Sequence, residues 1–309
     1  MYNRRKENVA ETEEKMLDCV IIGTGAAGIS AALTLKANGK SFVLIGNPEL
    51  SLKISRAEKI PNYPGLSLVT GGEFAAALKR QLKDVEIEIT DERVTGVYAL
   101  KGSFSTLTES GKTFDSRTVI LAVGVESVRK IEGESEFLGR GVSYCATCDG
   151  FLYKGKTLAV IATSERFEGE VEYLAKLAKK VYFIPLYKNV GFAFQAFENV
   201  EKLMRVPTEI KGELKVSGLV FGDQKEPREI PVDGVFFLKE SLPPSALVGG
   251  LETENGHVAV SRNAETNLRG LFAAGDCTGR PYQYVKAAGE GNVAAHSVIE
   301  YLRLAGKNE

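Results

Sequence analysis

Cys145 and Cys148 stand two residues apart and are followed at once by Asp149. A C-x-x-C pair closes a small disulfide ring, and its attacking thiolate works through a lowered pKa. A carboxyl group beside the pair can shuttle the proton that each thiol–disulfide exchange moves. The alternatives are two reduced structural thiols or two metal ligands. A zinc site takes about four Cys, His or carboxylate ligands. The chain has no second C-x-x-C, and its two histidines, His257 and His296, lie far from any cysteine in sequence. No metal is expected. Cys19 and Cys277, the remaining cysteines, read as small buried side chains.

A second set of residues has phosphate chemistry. Gly23-Thr24-Gly25-Ala26-Ala27-Gly28 is a G-x-G-x-x-G loop. The first glycine makes the tight turn, the second admits a pyrophosphate to the backbone, and the third lets the helix pack on the strand. The helix N-terminus beyond it offers free N–H donors and positive potential. The acid that usually ends the following strand and holds a ribose is replaced by Gly46, which weakens a plain NAD reading more than an FAD one. Near the C-terminus, Gly270-Leu271-Phe272-Ala273-Ala274-Gly275-Asp276 reads as a strand ending in an aspartate. That carboxylate can accept from the ribityl hydroxyls of FAD, or cap the next helix.

These residues need elements that hold them. Leu17 to Ile22 is a short apolar run, read as a buried parallel strand. A helix follows the glycine loop and closes at Asn38-Gly39, and Ser41 to Ile45 is the next strand. Phe74 to Leu82 reads as a helix. Val85 to Ile89, Val94 to Leu100 and Phe104 to Glu109 alternate like strands of a small antiparallel layer. Val119 to Val123 is another buried strand. After the cysteine pair a second β-α-β unit runs through Thr157 to Ala162, Glu165 to Ala178 and Val181 to Ile184. Strands are then expected near Leu214 to Val220 and Gly234 to Leu238, a linker at Pro243-Pro244, and a closing helix from Tyr284 to Ala305.

The composition excludes several classes. The chain has 309 residues, 44% hydrophobic and 26% charged, with a net charge of −1. That balance is ordinary for a globular protein and supplies no global field for nucleic acid or an anionic membrane. No apolar run approaches the ~20 residues that span a bilayer. Met1 to Lys15 is charged, lacks the apolar core of a secretory signal, and reads as a flexible tail, so a cytoplasmic location is expected.

Together these motifs resemble the low-molecular-weight thioredoxin reductase family, over about Asp18 to Leu304. The resemblance rests on Gly23 to Gly28, Asn62-Tyr63-Pro64-Gly65, Ala122-Val123-Gly124, Cys145-Ala146-Thr147-Cys148-Asp149-Gly150, Gly275-Asp276, and Gln283 followed by Ala288-Gly289-Glu290-Gly291. It implies an α/β fold of two Rossmann-like, three-layer ββα domains, the second inserted into the first. The FAD domain would comprise 16–121 and 243–309, and the disulfide-bearing domain 122–242, usually in a homodimer. Carried over by position, Cys148 would face the flavin, Cys145 would attack the substrate disulfide, and Asp149 would be the acid/base. Gly23, Gly25, Ala26, Ala27, Gly28, Gly46, Asn62, Val94, Ala122, Gly124, Asp276 and Gln283 would surround non-covalent FAD. Lys53 stands where the family often has glutamine, either beside the flavin or as a solvated charge. Tyr282 and Tyr284 replace arginine and alanine, to stack on the flavin, to serve docking or to fill the core.

In the family the second β-α-β unit binds NADPH, through a glycine-rich turn and a His-Arg-Arg cluster. Here those positions are Ala162-Thr163-Ser164 and Pro185-Leu186-Tyr187. Side chains replace the bare backbone that must touch pyrophosphate, and threonine is poor at positive φ. Glu165, Glu168 and Glu170 crowd the first helical turn, and one carboxylate close to a phosphate costs up to ~4 kcal/mol at intermediate dielectric. No arginine remains at the strand end to receive a 2′-phosphate. NADPH is therefore not expected, and the resemblance narrows to the ferredoxin-dependent flavin thioredoxin reductases, with ferredoxin as donor and thioredoxin as acceptor. The competing readings are an NADPH enzyme with a divergent site, a disulfide reductase fed by another flavoprotein, and a non-catalytic flavin sensor.

Overall fold

The computed structural model describes residues 16–55, 57–125, 131–192, 196–222, 228–239 and 242–306; the expected tail at 1–15 lies outside them. Strand Leu17–Ile22 lies between Phe42–Ile45 and Thr113–Leu121, parallel to both. Ile89–Thr90 extends this sheet beyond Phe42–Ile45, and Leu271–Ala273 adds to the far side of Thr113–Leu121. Val94–Ala99 and Phe104–Thr108 form an antiparallel ladder with the first half of Thr113–Leu121.

Alternation along the strands makes three layers. Cys19, Ile21, Leu44, Ile120 and Phe272 enter one core with helix Ala26–Ala37, helix Gly71–Asp84 and the closing helix Tyr284–Ala305. Val20, Ile22, Ile45, Val119 and Leu121 enter another with Val97 and Phe104 of the antiparallel layer. A parallel sheet buried on both faces reads as an unbroken apolar run because successive residues serve opposite cores.

The same plan recurs in the second domain. Its five-stranded parallel sheet has the order Val200–Lys202, Lys180–Pro185, Thr157–Ala162, Gly234–Leu238, Val142–Ser143. An antiparallel sheet of Pro207–Gly212, Val216–Phe221 and Arg228–Pro231 accompanies it. Leu158, Val160 and Phe236 pack on helix Glu168–Leu177, while Ala159, Ile161 and Phe237 join the core shared with Val94 and Val97 of the first domain.

Three local expectations need correction. Val85 to Ile89 is no antiparallel strand: Val85 caps the preceding helix, Glu86 takes φ +54°, and only Ile89–Thr90 pairs, in parallel. Leu214 to Val220 contains the turn of a hairpin whose first strand, Pro207–Gly212, is too polar to alternate. The expected linker at Pro243-Pro244 carries local structure of its own, since Pro244 opens the short helix Pro244–Leu247, where a missing N–H costs nothing.

The first and last long helices meet closely. A Cβ on Gly291 would overlap the Ala27 carbonyl, and Ala31, Ala32, Ala294 and Ala295 are buried between the elements. Overpacking of this kind costs ~1–3 kcal/mol, so Gly291→Ala is expected to lower the midpoint of thermal unfolding by several degrees, roughly 2–4 °C per kcal/mol, measured by circular dichroism.

Candidate active site

The glycine loop opens onto a cleft of about 1290 Å³, above the ~300–1,000 Å³ of most small-ligand pockets and suited to an extended dinucleotide. Gly23 holds φ +114°, and a Cβ there would strike the Ala122 carbonyl; Gly25 has open space at the same place. The backbone is thus bare where a pyrophosphate would lie, at the start of helix Ala26–Ala37. Gly23, Gly25, Ala26, Ala27, Gly46, Lys53, Val94, Ala122, Gly124, Asp276, Tyr282, Gln283 and Tyr284 all line the cleft. Gly28 does not; it packs against the Gly23 carbonyl. Asn62 stands behind the lining and donates to Gln283.

Asp276 follows strand Leu271–Ala273 and serves as no helix cap: its carboxylate pairs with Lys53 at 3.1 Å. The turn it sits on is fixed by Glu290, which accepts from the Gly275 N–H, and by Lys286, which donates to the Gly275 and Gly279 carbonyls. Tyr284 is half-buried, edge-on to Phe74 and hydrogen-bonded to the Lys53 carbonyl. Tyr282 is more open: its hydroxyl meets His257 Nε2 at 2.7 Å, and its ring lies 5.3 Å from Arg280 and 5.5 Å from Lys53. Two cations therefore address this ring at the edge of the cleft.

Cys145 and Cys148 form a disulfide on the short helix Ala146–Asp149, directly after strand Val142–Ser143. Neither cysteine lines the cleft. Cys148 is exposed, whereas Cys145 is 7% exposed. The Cys148 N–H donates to Cys145 Sγ at 3.1 Å, and Thr147 Oγ1 lies 3.5 Å from that sulfur. The Cys145 sulfur thus has one assigned donor, the Cys148 N–H, since the Thr147 hydroxyl proton goes to the Glu109 carbonyl. Ser143 donates to the Asp149 carboxylate at 2.6 Å and accepts from the Cys145 N–H, so it sets the carboxylate's place beside the disulfide. Nothing in its sequence position announced that role.

The turn after strand Thr157–Ala162 faces the cleft, through Thr163, Ser164, Glu165 and Arg166. Thr163 Oγ1 donates to the Leu238 carbonyl, and Ser164 caps the 3-10 turn Glu165–Phe167 by accepting from Arg166 N. Glu168 accepts from Tyr187 Oη at 2.7 Å and from Gly191 N at 2.9 Å. Ser164 Oγ thus engages one backbone N–H of the turn itself.

Comparison with known proteins fits this geometry. The pattern of the pyridine nucleotide-disulphide oxidoreductases matches residues 17–163 and 195–291. The chain belongs to that family. Family members similar to it include the thioredoxin reductase of Helicobacter pylori, 36% identical over 93% of this chain and 99% of that one. The crystal structure of a ferredoxin-flavin thioredoxin reductase from Clostridium acetobutylicum shares 43% identity, covering 94% of this chain and 99% of that chain, with a TM-score of 0.84. A thioredoxin reductase from Gloeobacter violaceus shares 30% identity over 94% of this chain and 96% of that chain, with a TM-score of 0.75.

The family's disulfide chemistry belongs here to one pair. Cys19 and Cys277 are buried and free, and burial pushes each thiol up to about 12. Cys277 is outside the cleft, its Sγ against the Ala274 and Leu121 carbonyls. At pH 8 about one such thiol in 10⁴ is ionised. The native oxidised protein is expected to show no thiol reactive toward a chromogenic disulfide reagent, and the reduced protein two.

Proposed function

We propose that this chain reduces thioredoxin through FAD and the Cys145–Cys148 disulfide, with reduced ferredoxin as its electron donor. FAD would lie in the cleft with its pyrophosphate on the glycine loop, its ribityl hydroxyls at Asp276, and Lys53 and Tyr282 beside the ring system. Bound there, it supplies the conversion between one-electron carriers and a two-electron disulfide. Cys145, the sulfur that accepts from the Cys148 N–H, attacks the disulfide of thioredoxin; the mixed disulfide is resolved by Cys148, and Asp149 carries the proton.

The observation that carries the choice of donor is the turn at Thr163–Arg166, where Ser164 already engages the Arg166 N–H, Thr163 Oγ1 is tied to the Leu238 carbonyl, and Glu165 is exposed beside them. A dinucleotide arriving there meets side chains and negative charge in place of open backbone. The likeness to the Clostridium acetobutylicum enzyme supports the same reading. Because neither cysteine lines the cleft in this arrangement, electron transfer to the disulfide requires the inserted domain to turn.

Two experiments test the reading. Under anaerobic conditions, reduced ferredoxin is expected to bleach the flavin absorbance of the holoprotein within the dead time of hand mixing, and excess NADPH to leave it unchanged; bleaching by NADPH overturns the donor. Cys145→Ser is expected to abolish thioredoxin reduction with FAD retained, while Cys148→Ser accumulates a mixed disulfide with thioredoxin on a denaturing gel. Turnover by the Cys145→Ser protein overturns the dithiol route.

A further inference from the structure

Arg93 is 8% exposed at the seam between the two domains. Its guanidinium pairs with Glu109 at 2.9 Å in its own domain, lies 3.8 Å from Glu170 of the inserted domain, and donates to the Tyr144 carbonyl, next to Cys145. Thr147, between the cysteines, donates to the Glu109 carbonyl at 3.3 Å. Arg166 and Asp91 add a second cross-domain ion pair at 3.0 Å. The disulfide turn is therefore held against the first domain by contacts on both sides. One arginine answers two carboxylates, and Arg93 Nε and Glu170 Oε2 are buried without hydrogen-bond partners. Buried polar atoms without partners are uncommon in native proteins and call for an explanation.

We propose that Arg93, Glu109 and Glu170 form a proton-operated clamp that holds the disulfide turn away from the dinucleotide cleft and releases it when Glu170 ionises. Burial is the largest influence on the Glu170 carboxyl, and the Glu109 charge and a hydrogen bond shared with that carboxylate add to it; together they push it up to about 8, against the opposing pull of Arg93 and the Ala146 N–H. The other charged groups around it are engaged elsewhere. Asp149, on the turn packed against this helix, accepts from Ser143, Glu168 holds Tyr187 and Gly191, and Glu172 pairs with Lys176. Once the domains part, water restores the carboxyl to its ordinary range near 4.5. The sign follows: the clamped arrangement binds the extra proton, so it is favoured at low pH and weakens as pH rises from about 4.5 to about 8. Release of one proton shifts the open-to-clamped ratio by up to about tenfold per pH unit in that window.

This clamp rests on the arrangement of the two domains and not on the identity of the donor, so its test needs no turnover. Spin labels placed at Lys101→Cys and Leu214→Cys, both exposed, report the distance between the domains in the oxidised, FAD-loaded protein, where the native cysteines are paired or buried. The expected result is one distance at pH 6 and a second that grows towards pH 9, with Glu170→Gln keeping the first distance at pH 9. Arg93→Met is expected to show the second distance already at pH 6. A wild-type distribution that ignores pH overturns the proposal, as does a Glu170→Gln protein that titrates like the wild type. The glutamine variant removes a charge without removing volume, so the conclusion does not depend on whether the arginine variant folds.

Discussion

Strand Thr113–Leu121 is the member on which the first domain depends, because it is hydrogen-bonded in two modes along its length. Its second half lies parallel between Leu17–Ile22 and Leu271–Ala273, and its first half is antiparallel to Phe104–Thr108. A strand of nine residues can serve both layers because side chains alternate faces while the ladder runs on unbroken. Its end delivers Ala122, Val123 and Gly124 to the floor of the cleft, and the layer it supports delivers Arg93 and Glu109 to the domain seam. The cofactor site and the interdomain contact are thus outgrowths of one strand.

Above that frame the molecule separates two kinds of order. Around the glycine loop the cleft is lined by backbone and small residues, and close approaches such as Gly23 to Ala122 there and Gly291 to Ala27 behind it leave little freedom to move. The seam joins ion pairs and a few polar contacts to the apolar core in which Ala159, Ile161 and Phe237 meet Val94 and Val97. Lys239 pairs with Glu134 at 2.7 Å, both fully buried, and Glu134 also accepts from Tyr144 Oη. That pair lies within the inserted domain and braces the segment leading to Cys145. Removing either partner would strand a charge, which in buried pairs costs ~3–5 kcal/mol. The disulfide turn is therefore rigid with respect to its own domain and conditional with respect to the other.

How far the sequence could be read follows from the range of the interactions. Strands Thr157–Ala162 and Gly234–Leu238 and helix Tyr284–Ala305 were legible to the residue, since buried runs and helical periodicity are local signals. The glycine loop and the cysteine pair were legible because turn geometry and ring closure demand fixed spacings. The polar strand Pro207–Gly212 was missed because register shifts at Pro207/Glu209 and Lys211/Gly212 place its two buried residues three apart, which breaks the alternation. Lys53 with Asp276, His257 with Tyr282, and Arg93 with Glu170 were invisible as pairs: each joins residues far apart in the chain, and no spacing rule spans such separations. Asp276 shows the limit from the other side, since its position in a strand-end motif was plain and its lysine partner was not.

The parallel sheet of the first domain closes only when Leu271–Ala273 docks, and the cleft gains Asp276 and Tyr282 to Tyr284 from the same late stretch. During synthesis, therefore, the inserted domain emerges whole from the ribosome while its host is still missing an edge strand and its last helix. Domains fold broadly in order of emergence, so the guest matures inside an unfinished host. Completion of the cleft is then a terminal event of biogenesis, and a nascent chain stalled before residue 270 would carry its dithiol beside a cleft still lacking Asp276 and Tyr282 to Tyr284.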